Sequence, residues 1–138
     1  MNGVNLDLLG TREPAVYGTE NLADLESQLR QCIQDWKISV DLEFIQTNHE
    51  GIFLDAITSD VDGILINPGA WTHTSLALAD RLKGVGIPYI EVHISNIHAR
   101  EPIRQQSLIS PAAISVVSGG GLIVYQMGLW GLVQRVCA

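Results

Sequence analysis

The stretch IPYIEVHISNIHAR, residues 87–100, decides the fold because an apolar run passes directly into a cluster of polar side chains. Its first half is typical of a buried strand, whereas its second half carries groups that are costly to bury. Glu91, His93 and Ser95 would lie on one face of that strand, so Glu91 could orient the His93 ring. These residues alone fit two interpretations equally well. Either His93 is a core histidine satisfied by a carboxylate and the strand ends in an ordinary loop, or the strand delivers its polar groups into a site.

Helices and strands alternate on both sides of this stretch. Asn21, followed by Asp24, predicts the N-cap of an amphipathic helix over 22–37. Further strands are predicted at 39–46, 62–67, 86–94 and 113–118, with helices at 51–59, at 74–84 and after the GGG of 119–121. This order predicts an α/β fold, a parallel sheet with helices on both faces.

Composition limits the classes of protein that the chain can be. With 138 residues and 46% hydrophobic side chains, the chain suits one domain, residues 1–138. The formal net charge of −7 argues against a nucleic-acid partner and against an anionic membrane surface. No apolar run is long enough for a membrane span, and the start lacks a signal-peptide pattern. Two cysteines without metal or disulfide spacing favour a reducing compartment, so we expect a cytoplasmic protein.

Polar clusters follow three predicted strands: TNHE at 47–50, NPGAWTH at 67–73 and SNIHAR at 95–100. In open parallel sheets ligands bind beyond the carboxyl ends of the strands, so these clusters predict a site there. The helix start after NPGAWTH could hold an anion, although capped helices have the same residues. The loop GTREPAVYG, 10–18, could bring a cation near a phenol or be an ordinary surface loop. His49, His73, His93 and His98 lack the spacing of a metal site.

Taken together, these segments resemble the type II 3-dehydroquinate dehydratases. The resemblance is carried by NGVNLDLLGTREPAVYG, TNHEG, NPGAWTHTS, IPYIEVHISNIHAR and Ser110-Pro111, which are spread over most of the chain. It implies a flavodoxin-like, three-layer α/β/α fold with a five-stranded parallel sheet, and trimers that assemble as a dodecamer. It also implies a lyase without cofactor or metal. Such an enzyme dehydrates 3-dehydroquinate to 3-dehydroshikimate by anti elimination through an enolate, in the shikimate or quinate pathways.

The resemblance also implies roles for six catalytic residues. Tyr17 would be the base that removes the C2 proton, and His93 the acid that protonates the departing C1 hydroxyl. Glu91 would position His93, and Asn5 would hold a water molecule that stabilises the enolate. Arg12 and Arg100 would keep Tyr17 ionised, because a nearby cation lowers the pKa of an acid.

Six further positions would bind the substrate by the same resemblance. Asn67 and the backbone at Ile94 and Ser95 would bind the carboxylate. His73 and Arg104 would bind the ring hydroxyls. Asp80 would reach the site of a neighbouring subunit, which would require a trimer.

The start of the chain departs from the family, whose members have an apolar strand before the segment that corresponds to Asn2-Gly3. A first strand is interior in a flavodoxin-like sheet, and Met1 stands where about five or six residues of it are expected. We therefore expect the natural start to lie upstream.

The alternative function is a non-catalytic relative that serves as a binding or assembly subunit. A third interpretation, a receiver-type signalling domain on the same fold, lacks support, because it would need an acidic cluster at the end of a first strand. Smaller departures stand at Val4, Ala79, Pro102 and Leu108.

Overall fold

The computed structural model describes residues 1–11 and 19–138. Helix α1 (Leu22–Trp36) begins where the sequence predicts, because the Asn21 side chain accepts from the amides of Ala23 and Asp24 while Asp24 accepts from the Asn21 amide. The other α-helices are α2 (Glu50–Asp55), α3 (Trp71–Thr74), α4 (Leu76–Val85) and α5 (Ile123–Val136). In the described ranges no helix is long and apolar enough to cross a membrane.

Three strands form a parallel sheet: β1 (Ile64–Ile66), β2 (Tyr89–His93) and β3 (Ser115–Ser118). Their order is β1-β2-β3, with Ile66 opposite Glu91 and His93 opposite Ser118. All three strands lie within the predicted ranges. The polar residues that follow β1 and β2 therefore meet at one edge of the sheet.

The core has two parts, one on each face of the sheet. Ile90 and Val92 of β2 face α1 and α5, whereas Tyr89 packs with Phe53 of α2 and Leu78 of α4. The predicted parallel sheet with helices on both faces is confirmed. Because side chains alternate along a strand, Glu91 and His93 face the same side as Tyr89.

The predicted strand over 39–46 is wrong in one respect: residues 38–45 form no ladder with any described residue. The apolar alternation itself is present, because Val40, Leu42 and Phe44 pack against the core while the residues between them are exposed. A ladder needs a neighbouring strand, and the neighbour here is the short segment 1–3. That segment makes a single bridge from Asn2 to Gln46.

Residues 1–3 lie between β1 and the segment that ends at 46. Asn2 bridges both Gln46 and Asn67 in parallel, so the chain order across the sheet is 46, 2, β1, β2, β3. This is the flavodoxin-like order 2-1-3-4-5, in which residues 1–3 occupy the carboxyl end of the place of strand 1. The Met1 amino group donates to the Leu65 carbonyl at 2.7 Å, and burial lowers its pKa to about 5.

A groove of about 480 Å³ continues from Met1 along the rest of that position. Its walls are the segment 39–45 on one side and residues 63–65 on the other, and Leu129, Leu132 and Val133 of α5 form part of its lining. Open space therefore lies between these two extended segments.

Candidate active site

A cleft of about 130 Å³ opens at the carboxyl edge of the sheet. Eight residues predicted for the site line it: Asn5, Asn67, His73, His93, Ile94, Ser95, Arg100 and Arg104. They come from the segment after residue 3, the loop after β1, helix α3, the end of β2 and the segment that follows it. The convergence arises because parallel strands place their carboxyl ends at one edge.

His93 lies at the end of β2 with its ring turned toward Glu91. The Nε2 atom is 2.6 Å from Glu91 Oε1, and the two side chains are 6% and 0% exposed. The two residues are two positions apart on the strand, as the alternation predicts. Because Nε2 contacts the carboxylate, the other ring nitrogen, Nδ1, is the one left to exchange a proton elsewhere.

Three hydroxyl groups that the sequence analysis did not assign to the site also contact Glu91. Thr72 Oγ1 donates to Oε1 at 2.5 Å, and Ser107 Oγ and Ser110 Oγ donate to Oε2 at 3.0 and 2.5 Å. Burial alone raises the pKa of Glu91, but hydrogen bonds from His93, Ser110 and Thr72 outweigh it and the pKa is lowered. The carboxylate form is therefore the stable one at neutral pH.

Asn67 is held in a buried chain of hydrogen bonds. Its Nδ2 donates to the Tyr125 hydroxyl at 2.8 Å, and that hydroxyl donates to Asn2 Oδ1 at 2.7 Å. Burial raises the pKa of Tyr125 far above its usual value, so this phenol stays protonated. The Asn67 Oδ1 atom accepts from the Gly69 amide at 3.2 Å. These contacts orient the amide at the floor of the cleft.

The turn after Asn67 requires a glycine. Gly69 has φ 64°, and a Cβ there would lie 2.7 Å from the Val4 carbonyl oxygen. Only glycine tolerates both the left-handed backbone and this close approach. The turn brings the start of α3, and with it His73, beside His93, so that the two imidazole rings stack with centroids 6.4 Å apart.

Two arginines supply positive charge at the rim of the cleft. Arg104 Nε pairs with Glu101 Oε1 at 2.7 Å, while Arg100 Nε lies 3.8 Å from the other oxygen of the same carboxylate. Both arginine side chains are about one-third exposed and line the cleft, so they are within reach of an anionic or hydroxylated ligand.

Several predicted residues are not placed in this cleft. Asp80 is exposed on α4 and does not line it. Arg12 and Tyr17 lie outside the described residues. Asn5 lines the cleft in a left-handed conformation, with its amide donating to Asn48 Oδ1 at 2.7 Å. Within ranges 1–11 and 19–138 no three His, Cys, Asp or Glu side chains are grouped closely enough to hold a metal ion.

The signal for the missed hydroxyls was weak because each lies far from Glu91 in the sequence. Thr72 was one of several possible caps at a helix start, but the capping residue of α4 is Ser75, whose Oγ accepts from the Leu78 amide at 2.9 Å. In the sequence Ser110 stands out only as part of a Ser-Pro pair. A buried glutamate on a strand was itself the available clue, because such a carboxylate needs donors from somewhere.

The fold is a flavodoxin-like parallel α/β sheet, and the His93–Glu91 pair beside a cleft at its carboxyl edge is an arrangement capable of acid–base chemistry. The model of one protein family, Dehydroquinase class II, matches residues 1–133. The chain belongs to the class II dehydroquinase family.

Individual relatives agree with this assignment. The chain is 51% identical to a 3-dehydroquinate dehydratase of Alkalilimnicola ehrlichii, over 99% of this chain and 91% of that protein. It is 48% identical to the Catabolic 3-dehydroquinase 1 of Neosartorya fischeri, over 94% and 87% of the two chains. It is also similar to the crystal structure of a type II dehydroquinase from Butyrivibrio crossotus, with a TM-score of 0.88 and 42% identity over 95% of this chain and 92% of that one.

Proposed function

We propose that this protein is a hydro-lyase that dehydrates 3-dehydroquinate to 3-dehydroshikimate. Membership of the family supports the reaction, and the observation that carries it in this chain is the His93–Glu91 pair, 2.6 Å apart, at the wall of a cationic cleft. The elimination removes a proton from C2 and a hydroxyl from C1, and the hydroxyl leaves as water once it has been protonated. It therefore needs one base and one acid.

His93 is the acid in this proposal. Its Nε2 faces the Glu91 carboxylate, so a charged ring presents a proton on Nδ1 to the departing C1 hydroxyl. Glu91 positions the ring and stabilises its charge. Arranging an acid at the leaving group before the reaction lowers the barrier without any cofactor.

Tyr17 is the base, and Arg12 and Arg100 keep it ionised. The C2 proton is acidic because it is α to a ketone, and its removal places negative charge on the ketone oxygen. A water molecule held by Asn5 stabilises that enolate charge, as a donor directed at a developing oxyanion does. The anti course of the elimination requires base and acid on opposite faces of the substrate ring.

The remaining residues of the cleft bind the substrate. Asn67 and the backbone at Ile94 and Ser95 receive the carboxylate, and His73 and Arg104 receive the ring hydroxyls. The fixed orientation of Asn67 supports this assignment, because its amide is held by Tyr125 and Gly69 before any ligand arrives.

The protein acts in the cytoplasm as trimers that assemble into a dodecamer. Asp80 supports the trimer, because it is exposed on α4 and lies outside the cleft of its own chain. In a trimer such a side chain completes the site of a neighbour. Sedimentation velocity tests this: the dodecamer predicts one large species, and a monomer at micromolar concentration overturns it.

A non-catalytic binding or assembly subunit is the second candidate. The two candidates differ in one measurable property: the lyase converts 3-dehydroquinate, whereas the non-catalytic relative does not.

Three proteins decide between them: the unchanged chain, Tyr17→Phe and His93→Ala, each checked for folding by circular dichroism. The lyase predicts dehydration by the unchanged chain and a loss of at least about a hundredfold in each variant. Equal activity in the unchanged chain and both folded variants would overturn the assigned roles. No activity in the folded, unchanged chain would favour the non-catalytic relative.

A further inference from the structure

The Glu91 carboxylate is enclosed by side-chain donors from three parts of the chain. His93 contacts Oε1 from the same strand, Thr72 of α3 contacts Oε1, and Ser107 and Ser110 contact Oε2 from the segment that precedes β3. Glu91 has no exposed surface at all. Four polar contacts to one buried carboxylate indicate a preorganised arrangement, because each donor must be held in place by the fold.

The hydrogen atoms of this cluster can be assigned by counting. Ser107 Oγ accepts from the amides of Ile109 and Ser110 at 3.2 and 3.0 Å, which occupies both of its lone pairs. Its one proton is therefore directed at Glu91 Oε2 and at Thr72 Oγ1, 2.8 Å away. Thr72 must then donate its own proton to Glu91 Oε1. Because both carboxylate oxygens already accept hydroxyl protons, the proton of the 2.6 Å contact is favoured on His93 Nε2 and not on Glu91.

We propose that Thr72, Ser107 and Ser110 are positioning residues that hold Glu91 as a carboxylate and thereby hold the His93 ring protonated for its role as the acid. This inference rests on the proposed function, since it assigns the control of that acid. The hydroxyls act through Glu91 and His93, and none of the three residues lines the cleft.

The rival explanation is that the hydroxyls only anchor the segment 105–110 to the sheet and have no effect on Glu91 or His93. That segment has other fastenings: the Leu108 amide donates to the Thr72 carbonyl at 2.8 Å, and His73 Nδ1 lies 2.6 Å from the Gln106 carbonyl oxygen. The Tyr89 hydroxyl also donates to the Ile109 carbonyl. Because these contacts do not involve the hydroxyls of the cluster, removing one hydroxyl should leave the segment in place.

The other charged and titratable groups around the pair lie on three elements. On β2, Tyr89 has its pKa raised to about 12 by burial and by Glu91, so it is neutral at any working pH. His73 of α3 stacks against His93, and Arg100 and Arg104 line the cleft. Glu91 is the carboxylate that contacts the His93 ring directly, at 2.6 Å.

The experiment compares Ser110→Ala and Thr72→Val with Thr74→Val, a matched control. Thr74 is exposed, two residues from Thr72, and its hydroxyl lies 3.4 Å from the Ala70 carbonyl instead of at Glu91. Two measurements are made: the pH profile of kcat, and the titration of His93 in the free protein, followed by NMR of ¹³C,¹⁵N-labelled histidine.

In the two cluster variants the acid limb of the kcat profile, and the acidic inflection that Glu91 gives in the His93 resonances, should both move to higher pH by about one unit, since losing one hydrogen bond to the Glu91 carboxylate raises the pKa of that carboxyl by about that much. The Thr74→Val profile should match that of the unchanged protein. Cluster variants that are less stable but titrate like the control would overturn the proposal and leave the fastening role. If the unchanged protein does not turn over 3-dehydroquinate, the proposed function fails, and the NMR titration still decides whether the hydroxyls control His93.

Discussion

The Met1 amino nitrogen lies 2.7 Å from the Leu65 carbonyl oxygen, buried between two extended segments. A charged amine in that position loses its hydration, which is why burial lowers its pKa to about 5. A peptide N–H would make the same hydrogen bond without a charge. This contact therefore makes the stability of the 138-residue chain depend on pH.

The free energy of unfolding of the 138-residue chain should fall as the pH is lowered from 8 to 5. The amine is protonated in the unfolded chain below its ordinary pKa of 8.0 but stays neutral in the folded chain down to about 5. The unfolded state therefore binds more protons in this window, and acid favours it by at most about 4 kcal/mol. Urea unfolding at pH 8 and pH 5.5 measures the effect, with the Nα-acetylated chain as control. Equal pH dependence in both chains would contradict this origin.

An N-terminal extension of six alternating apolar, β-prone residues should raise the free energy of unfolding by at least about 1 kcal/mol. The added strand would run parallel to β1 through the groove, bury apolar side chains against α5 and offer donors to residues 39–45. A Gly/Ser extension of equal length is the control, since it removes the terminal charge without filling the groove. Equal stabilisation by both extensions would show that the groove does not accept a strand.

Two helical glycines should respond to alanine in opposite directions. A Cβ at Gly128 of α5 would lie 2.7 Å from Leu65 Cδ1 and 2.8 Å from Val92 Cγ1, so Gly128→Ala should destabilise by about 1–3 kcal/mol. A Cβ added at Gly84 of α4 would have no atom of the described residues within 4 Å, so Gly84→Ala should stabilise by about 0.5–1 kcal/mol. Thermal unfolding measures both. A stable Gly128→Ala protein would mean that α5 does not pack this closely on the sheet.

Arg104→Ala should raise KM for 3-dehydroquinate by about ten- to a hundredfold with a smaller effect on kcat. A hydrogen bond from a charged donor to a substrate hydroxyl contributes about 1.5–3 kcal/mol and is made before the reaction begins. Steady-state kinetics at several substrate concentrations separate the two constants. Arg30→Ala serves as the control, because Arg30 pairs with Glu26 on α1, outside the cleft. An Arg104→Ala protein with unchanged KM would remove Arg104 from the binding site.

Local sequence patterns predicted the parts of the structure that depend on local physics. The Asn21 capping box and the shared face of Glu91 and His93 involve residues two or three positions apart, so their geometry follows from helix and strand periodicity alone. The meeting of three polar loops at one edge followed from the parallel order of the strands.

The failures have a common cause, since each depends on a partner distant in the sequence. Residues 39–45 have the alternation of a strand but no ladder with the described residues, because the neighbouring position holds only residues 1–3. The helix predicted at 51–59 is a separate case: it is shorter than predicted and ends at Asp55. The hydroxyls of Thr72, Ser107 and Ser110 reach Glu91 from 16 to 19 residues away, where no periodicity applies.

The most direct test is the absorbance of the conjugated enone after the purified chain is mixed with 3-dehydroquinate without added metal. The chain with the apolar N-terminal extension is assayed beside it, so that a loss of activity caused by an incomplete sheet is distinguished from one caused by the site residues. The proposed lyase predicts a steady rise in absorbance from the chain, abolished by Tyr17→Phe. No rise from either folded protein would contradict the account and leave a relative that binds without catalysing.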